Sequence, residues 1–247
     1  MSNLPLLAVY NRLEQKRARL SAADKNPPAI MRMFTPSWYL DNLELHRVIS
    51  SFNLFENGSN HELNLVSIAR SLSNCKYQEE YGLITINTKN IRSCAVVRKR
   101  GSVVLFTYDR HDKQISDVVN EQVMKCAKKI AKRIADSDTG DNDAFLKENI
   151  RFLNFRISTM LFVLNCQHSL HLIKLYNKLR TCVMLKYLHV VYEPEISRGI
   201  SVKDNANNCQ CIIYASGKVC ISSVTKTQAE YITSLLSPAL WEFRLNS

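Results

Sequence analysis

The chain has 247 residues, 46% of them hydrophobic and 22% charged, a balance suited to a folded globular body rather than to a disordered tail. No apolar run reaches the roughly 18 residues of a membrane-crossing helix, and the apolar start from Leu4 to Val9 runs into Arg12, Lys16 and Arg17, which speaks against a signal peptide. The formal charge of +11 and pI near 9.3 favour an anionic partner, nucleic acid first, because clustered lysine and arginine displace counterions from phosphates.

The first 45 residues read as a basic N-terminal extension. Leu6, Val9, Tyr10, Leu13 and Leu20 keep helical spacing, with Lys16, Arg17 and Arg19 on the polar side, until Pro27 and Pro28 break the pattern. Such a stripe suits contact with DNA, with a partner or with the body of the protein, and no site is placed there.

From Arg47 the pattern becomes strand-like, through Val48 to Phe55, and a helix carrying Leu65, Ile68, Ala69 and Leu72 on one face follows, with Asn64 as its N-cap. Strands are expected over Tyr81 to Asn87, Ile91 to Arg98 and Ser102 to Tyr108, an antiparallel meander. A second helix from about Ser116 to Ile134 turns Val119, Val123, Ala127, Ile130 and Ile134 inward and Lys125, Lys128, Lys129, Lys132 and Arg133 outward. The acidic run 136–143 then lacks the ligand spacing of a calcium loop and reads as a solvated linker.

After that linker the order recurs. A strand is expected from about Phe152 to Leu164, a helix from Ser169 to about Leu188, and strands near Ile200 to Lys203, Cys209 to Ala215 and Lys218 to Ser222. A last helix would open on a capping box of Thr227 and Glu230 and stop near Pro238. Two copies of strand, helix, meander and helix point to internal duplication, with repeats over 46–135 and 144–247. Both long helices are amphipathic and would cover one face of a shared sheet, leaving the other to a ligand.

No phosphate-binding glycine loop, zinc-protease motif, nucleophile elbow or pair of CxxC elements occurs, so no enzyme and no cofactor are expected. The eight cysteines fall mostly within element-like segments and read as reduced, intracellular core residues. Cys209, Cys211 and Cys220 offer three thiols and lack the fourth ligand of a structural zinc site, for which His168, His171 or His189 would have to serve, so no metal is assigned.

Tyr192-Glu-Pro-Glu-Ile196 with Gly199 beyond it, then Cys211-Ile-Ile-Tyr-Ala-Ser-Gly-Lys-Val219, resembles the second repeat of the TATA-box-binding protein family. Ala95-Val-Val-Arg-Lys-Arg-Gly101 and Arg47-Val-Ile-Ser-Ser-Phe-Asn-Leu54 take the corresponding places in the first half, and the likeness extends over about residues 45 to 243. The resemblance implies an α+β saddle: two pseudo-symmetric repeats forming one curved antiparallel sheet, helices on the convex face and duplex DNA in the hollow. It places the DNA-contacting positions at Arg47, Tyr81, Arg98, Thr159, Ser197, Tyr214 and Ser222.

Four of those positions, Tyr81, Arg98, Ser197 and Tyr214, stand where the family drives phenylalanines between base steps, and Arg47 and Thr159 stand where it carries paired asparagines. A tyrosine can still stack on a base, whereas serine is too small to unstack a step and arginine favours phosphates or a narrow A·T-rich groove. Sharp kinking and strict TATA preference are therefore not expected. Glu193, Pro194, Glu195 and Ile196 match the stirrup that docks transcription factor IIB, and the basic helix face of Lys125, Lys128, Lys129, Lys132 and Arg133 matches a surface for flanking DNA or an acidic protein.

The resemblance thus implies a transcription initiation factor that binds A·T-rich or non-specific promoter duplex and recruits a IIB-like protein and the RNA polymerase machinery. The rival expectation is a protein-interaction subunit of a transcription complex that has lost direct DNA recognition. The divergence suggests a specialised paralogue, a protist protein or a factor of a large DNA virus, acting in the nucleus or in a cytoplasmic viral factory or virion.

Overall fold

The computed structural model describes residues 38–88, 92–108, 117–137, 149–182 and 185–245. The basic stretch of the extension and all but the first two residues of the acidic run lie outside them. A single turn of helix α1 (Trp38–Asp41) precedes β1 (Leu43–Asn53), α2 (Leu65–Ser71), β2 (Cys75–Gln78), β3 (Leu83–Thr88), β4 (Ser93–Arg98), β5 (Ser102–Tyr108) and α3 (Asp117–Ser137). The second half supplies β6 (Leu153–Asn165), α4 (Leu172–Thr181), β7 (His189–Val191), β8 (Gly199–Asp204), β9 (Cys209–Tyr214), β10 (Lys218–Ser223) and α5 (Lys226–Glu242).

The ten strands of the described residues join one open antiparallel sheet in the order β2-β3-β4-β5-β1-β6-β10-β9-β8-β7. Numbered within its own half, each strand meets the same neighbours from either edge, and the long β1 and β6 pair along the middle. Both central strands carry an extra residue, His46 in β1 and Ser158 in β6, immediately before Arg47 and Thr159. Such bulges twist the ladder and re-aim the side chains beside them.

Alternation divides the sheet into two faces. On β1 the residues Val48, Ser50 and Phe52 are buried, and on β6 so are Met160, Phe162 and Leu164. These point toward the helices, where Val123, Ala127, Ile130 and Ile134 of α3, Leu175 and Leu179 of α4, and Ile232 and Leu236 of α5 complete the core. Burial of a leucine-sized side chain stabilises by about 1.5–3 kcal/mol, so this covered face holds the sheet together. The inward set anticipated for α3 is buried, with Cys126 and Ala131 beside it, and the helix takes in Asp136 and Ser137 as well.

Several elements differ from the sequence reading. The first strand begins at Leu43, ahead of the expected start. Edge strands β2 and β7 were not foreseen: four and three residues long, they owe their form to the neighbours they pair with rather than to their own pattern. α4 ends at Thr181, not near Leu188, with Cys182 as its extended C-cap.

In α5 the capping box is Thr225 and Gln228, not Thr227 and Glu230. The Thr225 hydroxyl accepts from the Gln228 amide at 3.3 Å, and Gln228 Oε1 accepts from the amides of Thr225 and Val224 at 3.0 Å. Nor does the helix stop at Pro238, since it continues to Glu242. Proline cannot donate to the Ser234 carbonyl one turn back, and the buried Ser237 hydroxyl donates to it instead, at 3.1 Å.

Candidate nucleic-acid interface

Opposite partners in an antiparallel ladder project to the same side, so the register fixes the uncovered face. Its middle is apolar and half-buried: Ile49, Val104 and Phe106 in the first half, Leu161, Val163 and Ile212 in the second. Around them stand Lys76, Arg47, Arg98, Arg156, Lys203 and Lys218, and among the described strand residues of this face Glu44 is the one carboxylate. No described element covers it. A broad apolar floor with a cationic border suits sugar and base edges over the middle and phosphates at the rim.

Arg47 lies on this face beside the central seam. Its guanidinium carbon sits 4.6 Å above the ring of Tyr108, its cross-strand neighbour, and its buried Nε has no hydrogen-bond partner. The cation–π contact fixes the planar group while leaving donors free. Thr159 stands opposite Ile49 across the seam. It lines a polar recess of about 140 Å³ with Ser222, Ser158, Lys203, Asn208 and Gln210, so the structure brings together two residues, Thr159 and Ser222, singled out separately in the sequence.

The four positions expected to act as wedges occupy equivalent places in the two halves. Arg98 pairs with Leu83, two residues beyond Tyr81, and Tyr214 pairs with Gly199, two residues beyond Ser197. Tyr81 ends a one-turn 3-10 helix and is 71% exposed, the following Gly82 turning left-handed at φ 56°. Ser197 is exposed on the loop before β8, bonded only weakly to the Gly199 backbone at 3.4 Å. The Tyr214 ring lies against Gly199, where a Cβ would meet its Cδ1 at 3.2 Å and the Ile213 carbonyl at 2.9 Å. One half thus presents a tyrosine and an arginine, the other a serine and a tyrosine.

The segment from Glu193 to Ile196, expected to be a partner-docking stirrup, is a tight turn, with the amides of Ile196 and Ser197 both donating to the Glu193 carbonyl at 2.9 and 2.8 Å. Glu193, Pro194 and Glu195 are exposed, and Ile196 is 82% exposed. An isoleucine held out in water by a closed turn, with two carboxylates beside it, is a small apolar anchor without internal use. On α3, Lys128, Lys129 and Lys132 are exposed and Lys125 pairs with Glu121 at 2.7 Å. Arg133 is committed within the fold, donating to the Ser73 carbonyl at 3.1 Å.

The cysteines divide between the faces. Cys209 and Cys211 share the face buried beneath the helices, and Cys220, on the neighbouring strand, pairs with Ile212 on the uncovered side. Burial, with Asp204 adding to it, pushes the Cys209 thiol up to about 12, and burial pushes Cys166 to about 12 and Cys211 upward. Thiols held protonated at neutral pH are poor metal ligands and poor nucleophiles.

Sequence reasoning did not single out Arg156, Lys76, Lys203 or Lys218 for this face. Period-two alternation would have found them only once the register, bulges included, was known.

No family model matches the chain, and no characterised protein matches it by sequence. Among solved structures it is similar to Methanococcus jannaschii TBP, with a TM-score of 0.52 and 16% identity over 81% of this chain and 99% of that one. The chain therefore has a TBP-like fold, built on one large, open antiparallel sheet.

Proposed function

We propose that this protein is a TBP-like initiation factor of two pseudo-symmetric repeats that seats promoter duplex on the uncovered sheet face and recruits a IIB-like protein through the 193–196 stirrup. The observation that carries this reading is that face itself: among the described strand residues, an apolar floor with five cations and one carboxylate around it, and Arg47 stacked on Tyr108 beside the seam with its buried Nε unpaired. DNA contact falls to Arg47, Tyr81, Arg98, Thr159, Ser197, Tyr214 and Ser222. With arginine and serine in place of two wedges, binding relies on phosphates and groove shape more than on unstacking, so sequence preference is weak.

Titrating A·T-rich, G·C-rich and random duplexes in mobility-shift assays at several salt concentrations tests it. Expected is measurable binding whose affinity falls steeply with salt and differs by less than about tenfold among duplexes, the mark of counterion release. No binding even at low salt would sink the DNA reading and leave the protein-interaction subunit, a role that the exposed Ile196 would still serve.

The stirrup makes a separate prediction. Glu193→Arg/Glu195→Arg is expected to weaken capture of a IIB-like factor at least tenfold, since like charge is set against a cationic partner, while the affinity for duplex holds or rises. Unchanged capture in a pull-down would remove the stirrup from the partner surface.

A further inference from the structure

On the uncovered face, near one end of the β1–β6 seam, lies a recess of about 310 Å³ lined by Ser51, Phe52, Asn53, Asn57, Asn154 and Arg156. Its origin is a slip in the ladder. Ser51 pairs with Arg156 but Asn53 pairs with Leu153, so β6 carries one residue too many, and Asn154 takes up the excess at φ 53°. Asparagine tolerates that left-handed conformation better than most residues.

The lining is a donor set. Arg156 Nε donates to Ser51 Oγ at 3.2 Å, anchoring the guanidinium and leaving its terminal nitrogens uncommitted, and Asn53 Nδ2 donates to Asn57 Oδ1 at 3.2 Å. No carboxylate is among the described residues that line the recess. A planar cation that shares a recess with three carboxamides and a hydroxyl suits the oxygens of a phosphodiester, a ligand for which arginine exceeds lysine.

The opposite end of the seam differs in sign. Exchanging the halves carries the pair Ser51 and Arg156 onto Val163 and Glu44, which face each other across β1 and β6 in the same manner. Glu44 and Ser51 are separated by roughly 20 Å of strand at about 3.3 Å per residue, too far for one phosphate to meet both. A carboxylate repels the anion that a guanidinium holds.

We infer that the Arg156 recess is a phosphate seat, present in one half only, that holds one strand of the bound duplex while its counterpart at Glu44 holds none. This rests on the duplex-binding reading and adds to it a specific backbone contact and an off-centre grip.

Binding of an A·T-rich duplex by the full chain, measured by fluorescence anisotropy across a salt series, tests it with Arg156→Gln, Arg156→Lys and Glu44→Gln. Arg156→Gln is expected to bind about 3- to 10-fold more weakly, with a log–log salt slope shallower by about 0.9, the value of one phosphate contact. Arg156→Lys should keep the slope, and Glu44→Gln should bind as tightly as the parent or tighter. Both side chains are exposed, and unchanged melting temperatures serve as the control for folding. An unchanged slope in Arg156→Gln while the parent binds, or an equal loss in Glu44→Gln, would overturn the phosphate seat alone. Failure of the parent to bind duplex would overturn the duplex reading and the seat with it.

Discussion

Replacing Arg47 and Arg98 together by glutamine is expected to weaken duplex binding about 30- to 100-fold near 100 mM salt and to make the salt slope shallower by about two. The two act in different ways. Arg98 is exposed at the end of β4, in the outer part of the face, where a cation meets phosphates at little desolvation cost. Arg47 is half-buried beside the seam, clamped on Tyr108, with a buried Nε that nothing in the described protein satisfies. A buried donor left unpaired costs about 1–3 kcal/mol, and an acceptor on the ligand, a phosphate or a base edge in the groove, would recover it.

Arg47→Gln alone should therefore cost binding more than Arg98→Gln while costing the folded state little, because no protein acceptor is orphaned. A control of equal charge change on the helical side, Arg70→Gln/Lys174→Gln, should move affinity less than about threefold. If the control and the face variant weakened binding alike, only net charge would be at work, and the uncovered face would lose its claim.

The second large effect concerns stability. Gly217 turns the chain between β9 and β10 at φ 81°, and a Cβ there would lie 2.0 Å from the carbonyl oxygen of His168. That oxygen belongs to backbone fixed nearby: the Cys166 amide donates to the Gly217 carbonyl at 2.9 Å and Leu170 N donates to the Ala215 carbonyl at 2.8 Å. Gly101 makes the corresponding turn at φ 78°, but its Cβ would meet the ring edge of Phe55 at 2.6 Å, a side-chain contact rather than a backbone carbonyl.

Left-handed backbone costs alanine about 1–2 kcal/mol, and forcing fixed atoms apart adds about 1–3 kcal/mol. Gly217→Ala is accordingly expected to lose about 3–4 kcal/mol and Gly101→Ala about 1–2 kcal/mol, read as urea midpoints at unchanged slope. Equal losses would mean that the turn conformation alone, and not the His168 contact, decides the cost.

Much of this architecture could be read from residues. The duplicated order of elements and the inward face of α3 follow from local chemistry, and the stretch from Tyr192 to Ile196 stands out as a motif that the fold holds as an exposed turn. What escaped is what neighbours decide. β2 and β7 are too short to show a pattern of their own, and the extra residues at His46, Ser158 and Asn154 arise only when two strands pair, so Arg156 could not be assigned to a face.

The helix α5 illustrates the same limit at closer range. Thr225 with Gln228 and Thr227 with Glu230 fit one spacing equally well, and the chain's entry from β10 selects the first. Pro238 reads as a stop unless one sees that the preceding serine replaces the hydrogen bond that proline removes.

The seam has a consequence for how the protein comes apart. Because β1 and β6 zip together from Leu43 opposite Leu164 to Asn53 opposite Leu153, neither half can close its own sheet: separated, each would carry a long raw edge open to any other strand. Denaturation should then be a single cooperative event across both halves, and truncation between them a route to aggregation rather than to a working miniature.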